Sequence, residues 1–171
     1  MKTQLPKVER IFLELTNICN FNCDFCPTRV SRRKKQHMDF SLFKKAVDEI
    51  SRENITDTVN FHLLGEPLIH PKIIDAVKYA KSKGLTAELI TNGALLDSRM
   101  TKKLITTKLD RLVISIVSIE RKDHAFRKCG MDFSTYYRRI IDAVKQIKES
   151  APKMTVLLSL VDTSTKRFFE I

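Results

Sequence analysis

The sequence predicts an α/β fold in which parallel strands alternate with helices to make half or more of a (βα) barrel. Two observations carry this. Five short runs rich in Ile, Leu, Val, Phe and Thr alternate with four runs of helical periodicity, the pattern of a parallel sheet covered by the helices that connect its strands. The residues between the runs agree, with Asp or Ser where helices should begin and Gly or Pro where they should end.

Strands are expected at 10–15, 58–63, 86–90, 111–117 and 154–160, all β-prone in composition. Between the first two, Phe40, Phe43, Val47 and Ile50 recur at helical spacing behind a cap at Asp39 or Ser41. The second helix carries Ile73, Ile74, Val77 and Ala80, with Pro71 suited to its first turn and Gly84 to its C-terminal cap. A shorter third helix is expected over 98–107, capped by Asp97 or Ser98 and showing only Met100 and Leu104 as an apolar stripe. The last helix presents Phe133, Tyr137, Ile140, Ile141, Val144 and Ile147 and is stopped by Pro152. In a right-handed βα succession the functional loops gather at the carboxyl ends of the strands. The run ICNFNCDFCP, the segment LGEP and the segment TNG each follow a predicted strand, so the three should share one rim.

With 171 residues and 43% hydrophobic content, the chain fits one domain with a proper core and needs no disulfide staples. Near the N-terminus the apolar run IFLEL is broken by Glu14, which suits neither a secretory segment nor a membrane span; the expected location is the cytoplasm. The formal charge of +11, from 31 Lys and Arg against 20 Asp and Glu, makes nucleic acid, an anionic redox protein or a negative membrane surface electrostatically suitable partners. Solvated helix faces account for much of it, and nucleic acid is not the favoured partner. The one dense block, RVSRRKK at 29–35, directly follows the third clustered cysteine. It reads either as a device that steers an anionic substrate or reductant, or as a mobile basic loop.

Cys19, Cys23 and Cys26 fall within eight residues as C-x3-C-x2-C, a spacing that suits an iron-sulfur cluster better than a disulfide framework. Three protein ligands to a four-iron cluster leave one iron open for chemistry, as an open coordination position does in catalytic zinc sites. Phe21 and Phe25, interleaved with the cysteines, are placed to shield such a group. The competing reading is structural zinc completed by Cys129 or a histidine, though zinc more often takes paired C-x2-C knuckles. Gly65 and Pro67 read as a turn that ends a strand, and Asn92-Gly93 as a turn dipeptide. Of the four histidines, His62 is the best placed to meet a substrate, next to the GEP turn.

Taken in order, C-x3-C-x2-C at 19–26, GEP at Gly65, Glu66 and Pro67, and TNG at 91–93 resemble the radical SAM superfamily. The segment LLGEPLIHP followed by ITNGALL is similar to the subgroup of molybdenum-cofactor biosynthesis enzymes and SPASM-domain maturases. The resemblance implies a TIM-like barrel of which residues 1–171 are the core domain, truncated after about five strands. It implies a 4Fe-4S cluster on Cys19, Cys23 and Cys26, with S-adenosylmethionine on the free iron, and cofactor contacts from Phe25, Gly65, Glu66, Pro67, Asn92, Ser115 and Arg127. Glu66 would meet the methionyl ammonium and Arg127 the cofactor carboxylate. It also implies a low-potential donor of flavodoxin or ferredoxin type, and hydrogen abstraction from a peptide or small metabolite. The chain departs from the family at Leu64, where many relatives have Gly, and at Val117, where an Asp is usual. Two other readings remain at this point, a non-catalytic basic module that binds zinc and nucleic acid, and an inactive relic of the fold.

Overall fold

A computed structural model describes residues 6–160. Five strands form one sheet in the order β1-β2-β3-β4-β5, each parallel to the next. They are β1 (Ile11–Phe12), β2 (Thr58–Asn60), β3 (Thr86–Thr91), β4 (Arg111–Ser115) and β5 (Thr155–Ser159). The helices are α1 (Phe40–Arg52), α2 (Ile73–Ser82), α3 (Ser98–Ile105), α4 (Arg121–His124) and α5 (Phe133–Ser150). No described helix is long and apolar enough to cross a membrane.

The helices start where capping chemistry permits. Asp39 accepts from the amides of Ser41 and Leu42, Asp97 from Met100 and Asp132 from Thr135, each satisfying donors that have no partner in a first turn. At the far end of α2, Gly84 adopts a left-handed φ of 79° while the amide of Leu85 reaches back to the Ala80 carbonyl, a closure that favours glycine.

Strand side chains alternate as a pleated sheet requires. Val59, Ala87, Leu89, Leu112 and Ile114 are buried and join Phe43, Val47, Ile73, Val77, Leu104, Ile140 and Ile147 in one core. The opposite parity carries polar groups: buried Glu88 on β3 takes Arg10 at 2.9 Å and Arg111 at 2.6 Å, joining three segments at the amino end of the sheet. At the β5 edge, Leu157 and Leu158 remain about half exposed.

Five expectations need correction. The β1 ladder is only two residues long, because the chain leaves it to make separate bonds, Leu13 amide to the Asn60 carbonyl and Met38 amide to the Leu15 carbonyl. β2 likewise ends at Asn60, three residues early, ahead of the turns that lead into the Pro67–Ile69 3-10 segment. α2 starts at Ile73, so Pro71 precedes the helix. α4 was not foreseen; its single turn is too short for an apolar repeat to show. On α5 the buried positions are Tyr136, Ile140, Ala143 and Ile147, whereas Ile141 is exposed. The buried face is rotated toward a small residue and a tyrosine whose hydroxyl has a buried partner, described below.

Candidate functional site

The three loops expected to share a rim do so. Cys19, Cys23, Cys26, Phe21, Phe25, His62, Leu64, Gly65, Glu66, Thr91, Asn92, Ser115 and Arg127 line one cavity of about 230 Å³ at the carboxyl ends of β2, β3 and β4. Pro67 does not line it, being buried as the first residue of the 3-10 turn. A larger cavity of about 390 Å³ lies elsewhere, between α3 and α5, and holds none of these residues.

The floor is built around Glu66, which is 1% exposed. Its carboxylate accepts the Thr91 hydroxyl at 2.7 Å, the Asn92 amide at 2.7 Å and the Leu68 amide at 3.0 Å, so one side chain ties the loop after β2 to the loop after β3. Burial pushes this carboxyl up from its ordinary value, while the three donors and the nearby Arg127 pull it back. A carboxylate offers about four lone-pair sites; three are used, which leaves room for one further donor. Tyr136 props the same floor from α5, its hydroxyl donating to the Asn92 carbonyl at 2.6 Å. The Asn92 side chain donates to Asn20 at 2.8 Å and stands 3.8 Å from the Cys19 sulfur.

Gly65 is required by proximity, not by backbone freedom. A Cβ there would lie 2.0 Å from the Thr16 carbonyl oxygen and 2.9 Å from that of Ile18, because the cysteine loop passes directly over it and the Glu66 amide bonds the Ile18 carbonyl at 2.8 Å. Leu64, in place of the more usual glycine, is accommodated: its amide donates to Glu14 at 3.2 Å and its side chain joins the cavity wall. Gly93 does need its freedom, with φ at 80°.

The cysteines form the wall above this floor. All three are half-buried and unpaired. The Cys26 amide bonds the Cys23 carbonyl at 3.1 Å, and the Asp24 amide bonds the Phe126 carbonyl at 2.9 Å, tying the loop to the turn after α4. Burial raises the Cys19 thiol and pushes Cys23 up to about 11, with Arg127 opposing the latter. Arg127 is 3% exposed and lies against the rings of Phe21 and Tyr136, at 4.8 Å and 5.6 Å from their centroids. One guanidinium nitrogen donates to the Ser115 carbonyl at 2.6 Å, while Nε is buried without a partner.

These features fit a cluster and its amino-acid ligand. Three thiols stand round a cavity, a buried guanidinium N–H lacks an acceptor, and a buried carboxylate has a free lone-pair site. Among the described residues no three His, Cys, Asp or Glu side chains, the cysteines included, are gathered closely enough to hold a single metal ion. Cys129, a possible fourth zinc ligand from sequence, instead lies 3.4 Å from the His124 ring and the Met131 carbonyl. Val117, the departure noted in the sequence, is a buried residue.

Of the histidines, only His62 lines the cavity; burial lowers its pKa and Glu14 opposes that. His70 is structural, its ring placed against the Met38 carbonyl at 3.2 Å and accepting the Lys72 amide at 3.1 Å. Sequence reasoning missed Tyr136: it stands one helical turn before Ile140, but Phe133 and Tyr137 on the same helix compete with it for the buried face.

Comparison with known proteins places this architecture. The cofactor-modifying protein of the tungsten-containing aldehyde ferredoxin oxidoreductase of Pyrococcus furiosus is 31% identical over 106 residues, covering 62% of this chain and 30% of that protein. The structure of BtrN in complex with AdoMet and 2-DOIA superposes with a TM-score of 0.68 at 21% identity, over 95% of this chain and 60% of that one. Streptococcus suis SuiB bound to precursor peptide SuiA gives 0.73 at 15% identity, over 95% and 35%. The chain thus spans less than two thirds of each of these proteins. The model of the radical SAM superfamily matches residues 13–167, and with the cysteine wall, the GEP floor and the TNG loop on one rim, the chain belongs to that superfamily, whose members use a 4Fe-4S cluster and S-adenosylmethionine.

Proposed function

We propose that residues 1–171 form the core domain of a cytoplasmic radical S-adenosylmethionine enzyme acting on a peptide or small metabolite, and that an electron reaches it from a flavodoxin- or ferredoxin-type donor. The observation that carries this reading is the convergence of three thiols, the Glu66 carboxylate and the unsatisfied Arg127 guanidinium on one cavity. Cys19, Cys23 and Cys26 would hold the cluster; Phe21 and Phe25 limit water beside it, which matters because exposure tunes cluster potential. Glu66 would offer its remaining lone-pair site to the ammonium of the cofactor, and Arg127 its free N–H to the carboxylate, a charge-assisted pair in each case. Asn92, Gly65 and Ser115 complete the cavity lining, with Gly65 keeping the two loops in contact. Bound there, the pair would supply one-electron reductive cleavage of the sulfonium, the electron coming from the donor, to methionine and a 5'-deoxyadenosyl radical able to take a hydrogen atom from the substrate.

The peptide alternative for the substrate draws support from SuiB, whose structure is described as bound to a precursor peptide. Anaerobic reconstitution with iron and sulfide, followed by dithionite and S-adenosylmethionine, should yield 5'-deoxyadenosine. A well-reconstituted protein that yields none would contradict the reading. Cys23→Ala should remove the visible cluster absorption while the far-ultraviolet circular dichroism of the chain is kept, because Cys23 is half-buried and outside every strand and helix.

A further inference from the structure

The dense basic run at 29–35 is not a free tail. Arg29 sits in a 3-10 turn that starts at Pro27, its amide bonds the Cys26 carbonyl at 3.3 Å, and the Val30 amide bonds the Pro27 carbonyl at 3.2 Å. The other end is clamped by Asn17, whose side chain donates to the Lys34 carbonyl and accepts the Gln36 amide, both at 2.8 Å. An isolated bridge between Thr16 and His37 and the Met38–Leu15 bond close the loop. The backbone that carries the cations is therefore anchored at both ends, next to the cysteines in the chain.

Nearby carboxylates pair with two of the five cations and leave three. Asp24 is shared by Arg29 and Lys128, each at 2.5 Å, and Glu14 pairs with Arg33. Arg32, Lys34 and Lys35 have no carboxylate partner among the described residues. At the apex between Arg29 and Arg32, Val30 is 83% exposed. An exposed apolar tip flanked along the chain by cations suits a protein-docking patch, with apolar contact and charge side by side. Single-stranded nucleic acid is a poorer occupant, because 29–35 contains no aromatic side chain on which a base would stack.

We infer that the 29–35 loop, with Val30 at its apex, is the surface on which an acidic flavodoxin-type protein docks to deliver its electron to the cysteine loop. This rests on the functional reading above. Electron tunnelling falls off exponentially with distance, so a donor must approach close to the thiols, and the outer side of the loop that holds Cys26 carries this patch. One electron leaves the reduced flavin, which passes from hydroquinone to semiquinone, and is accepted by the iron-sulfur centre assigned to the same loop. The field of the patch steers an anionic partner to it, which raises the association rate and makes it salt-dependent.

The test has two arms. In the first, oxidised flavodoxin of strongly acidic composition is titrated into the iron-free chain in a calorimeter at low and high salt. Binding should weaken with salt, fall at least about tenfold in the double variant Arg32→Glu/Lys34→Glu, and fall by an intermediate factor in Arg32→Gln/Lys34→Gln. In the second, the reconstituted protein makes 5'-deoxyadenosine from S-adenosylmethionine with either reduced flavodoxin or dithionite; the double variant should lose at least about tenfold with flavodoxin and nothing with dithionite. Equal flavodoxin binding by wild type and both variants, equal loss with both reductants, or loss of oligonucleotide binding with flavodoxin unaffected would each overturn the assignment. Absence of dithionite-driven cleavage in the wild type would count against the functional reading instead, and the calorimetric arm would still decide the docking surface.

Discussion

The floor and the wall of the cavity are held together by different means. The floor, Glu66 with Thr91, Asn92 and Tyr136, is buried and every bond in it joins groups that have left water. The wall, from Thr16 to Met38, has one short 3-10 turn, and its bonds run mostly from side chains to backbone at half-exposed positions. Buried hydrogen bonds specify a geometry because leaving one unmade is expensive. Exposed ones hold a loop in register but leave it responsive to charge and ligands. The floor is thus fixed by buried bonds, whereas the wall is a loop kept in register by bonds nearer to water.

Four perturbations test that contrast, from the largest effect to the smallest. Gly65→Ala strikes the place where wall meets floor: its Cβ would overlap the Thr16 carbonyl. We expect a loss of about 3 kcal/mol or more, since backbone cannot yield as a flexible side chain does. Denaturant unfolding of the iron-free chain measures it, and a loss below about 1 kcal/mol would show that the loops separate easily. Glu66→Ala should cost about 3 kcal/mol by stranding three buried donors, and Glu66→Gln less, as it keeps an acceptor. If Glu66→Ala were neutral, the floor would not be the rigid half. Asn17→Ala removes two loop bonds and should cost only about 1 kcal/mol, yet trypsin should cut 32–35 several times faster. Unchanged cleavage would mean the loop is held by something other than Asn17.

The smallest effect concerns pH. Burial lowers the pKa of His70, with His37 beside it lowering it further and the Met38 carbonyl opposing. The unfolded chain therefore binds the proton more readily, so the stabilisation is complete above about pH 6.5 and is lost as pH falls through the folded value. Unfolding free energies at pH 7.5 and 5.5 should differ less in His70→Gln than in wild type. An equal slope would place the titration elsewhere.

The contrast also explains what was legible in the chain. The alternation of β-prone runs with helical stripes announced a parallel sheet, and the three motifs after strands announced a common rim, because periodicity and turn chemistry are local. Tyr136 was passed over because aromatic neighbours at 133 and 137 blur the phase of the stripe, and only the tertiary partner, the Asn92 carbonyl, picks the buried ring. Gly65 was read as a flexible turn residue for a similar reason: the atom that demands glycine there belongs to Thr16, 49 positions away. The basic run was visible as charge, but its clamping by Asn17 was not, since no spacing rule links 17 to 34 and 36.

The central claim is that Cys19, Cys23 and Cys26 hold an iron-sulfur cluster with an open site for S-adenosylmethionine. Iron, acid-labile sulfide and zinc counted on the anaerobically purified chain, together with its visible spectrum before and after S-adenosylmethionine is added to the reduced protein, tests this most directly. The account predicts a brown protein with matched iron and sulfide in a four-iron complement, and an electron paramagnetic resonance signal that shifts when the ligand is added. A colourless chain carrying one zinc, or a cluster indifferent to S-adenosylmethionine, would contradict it.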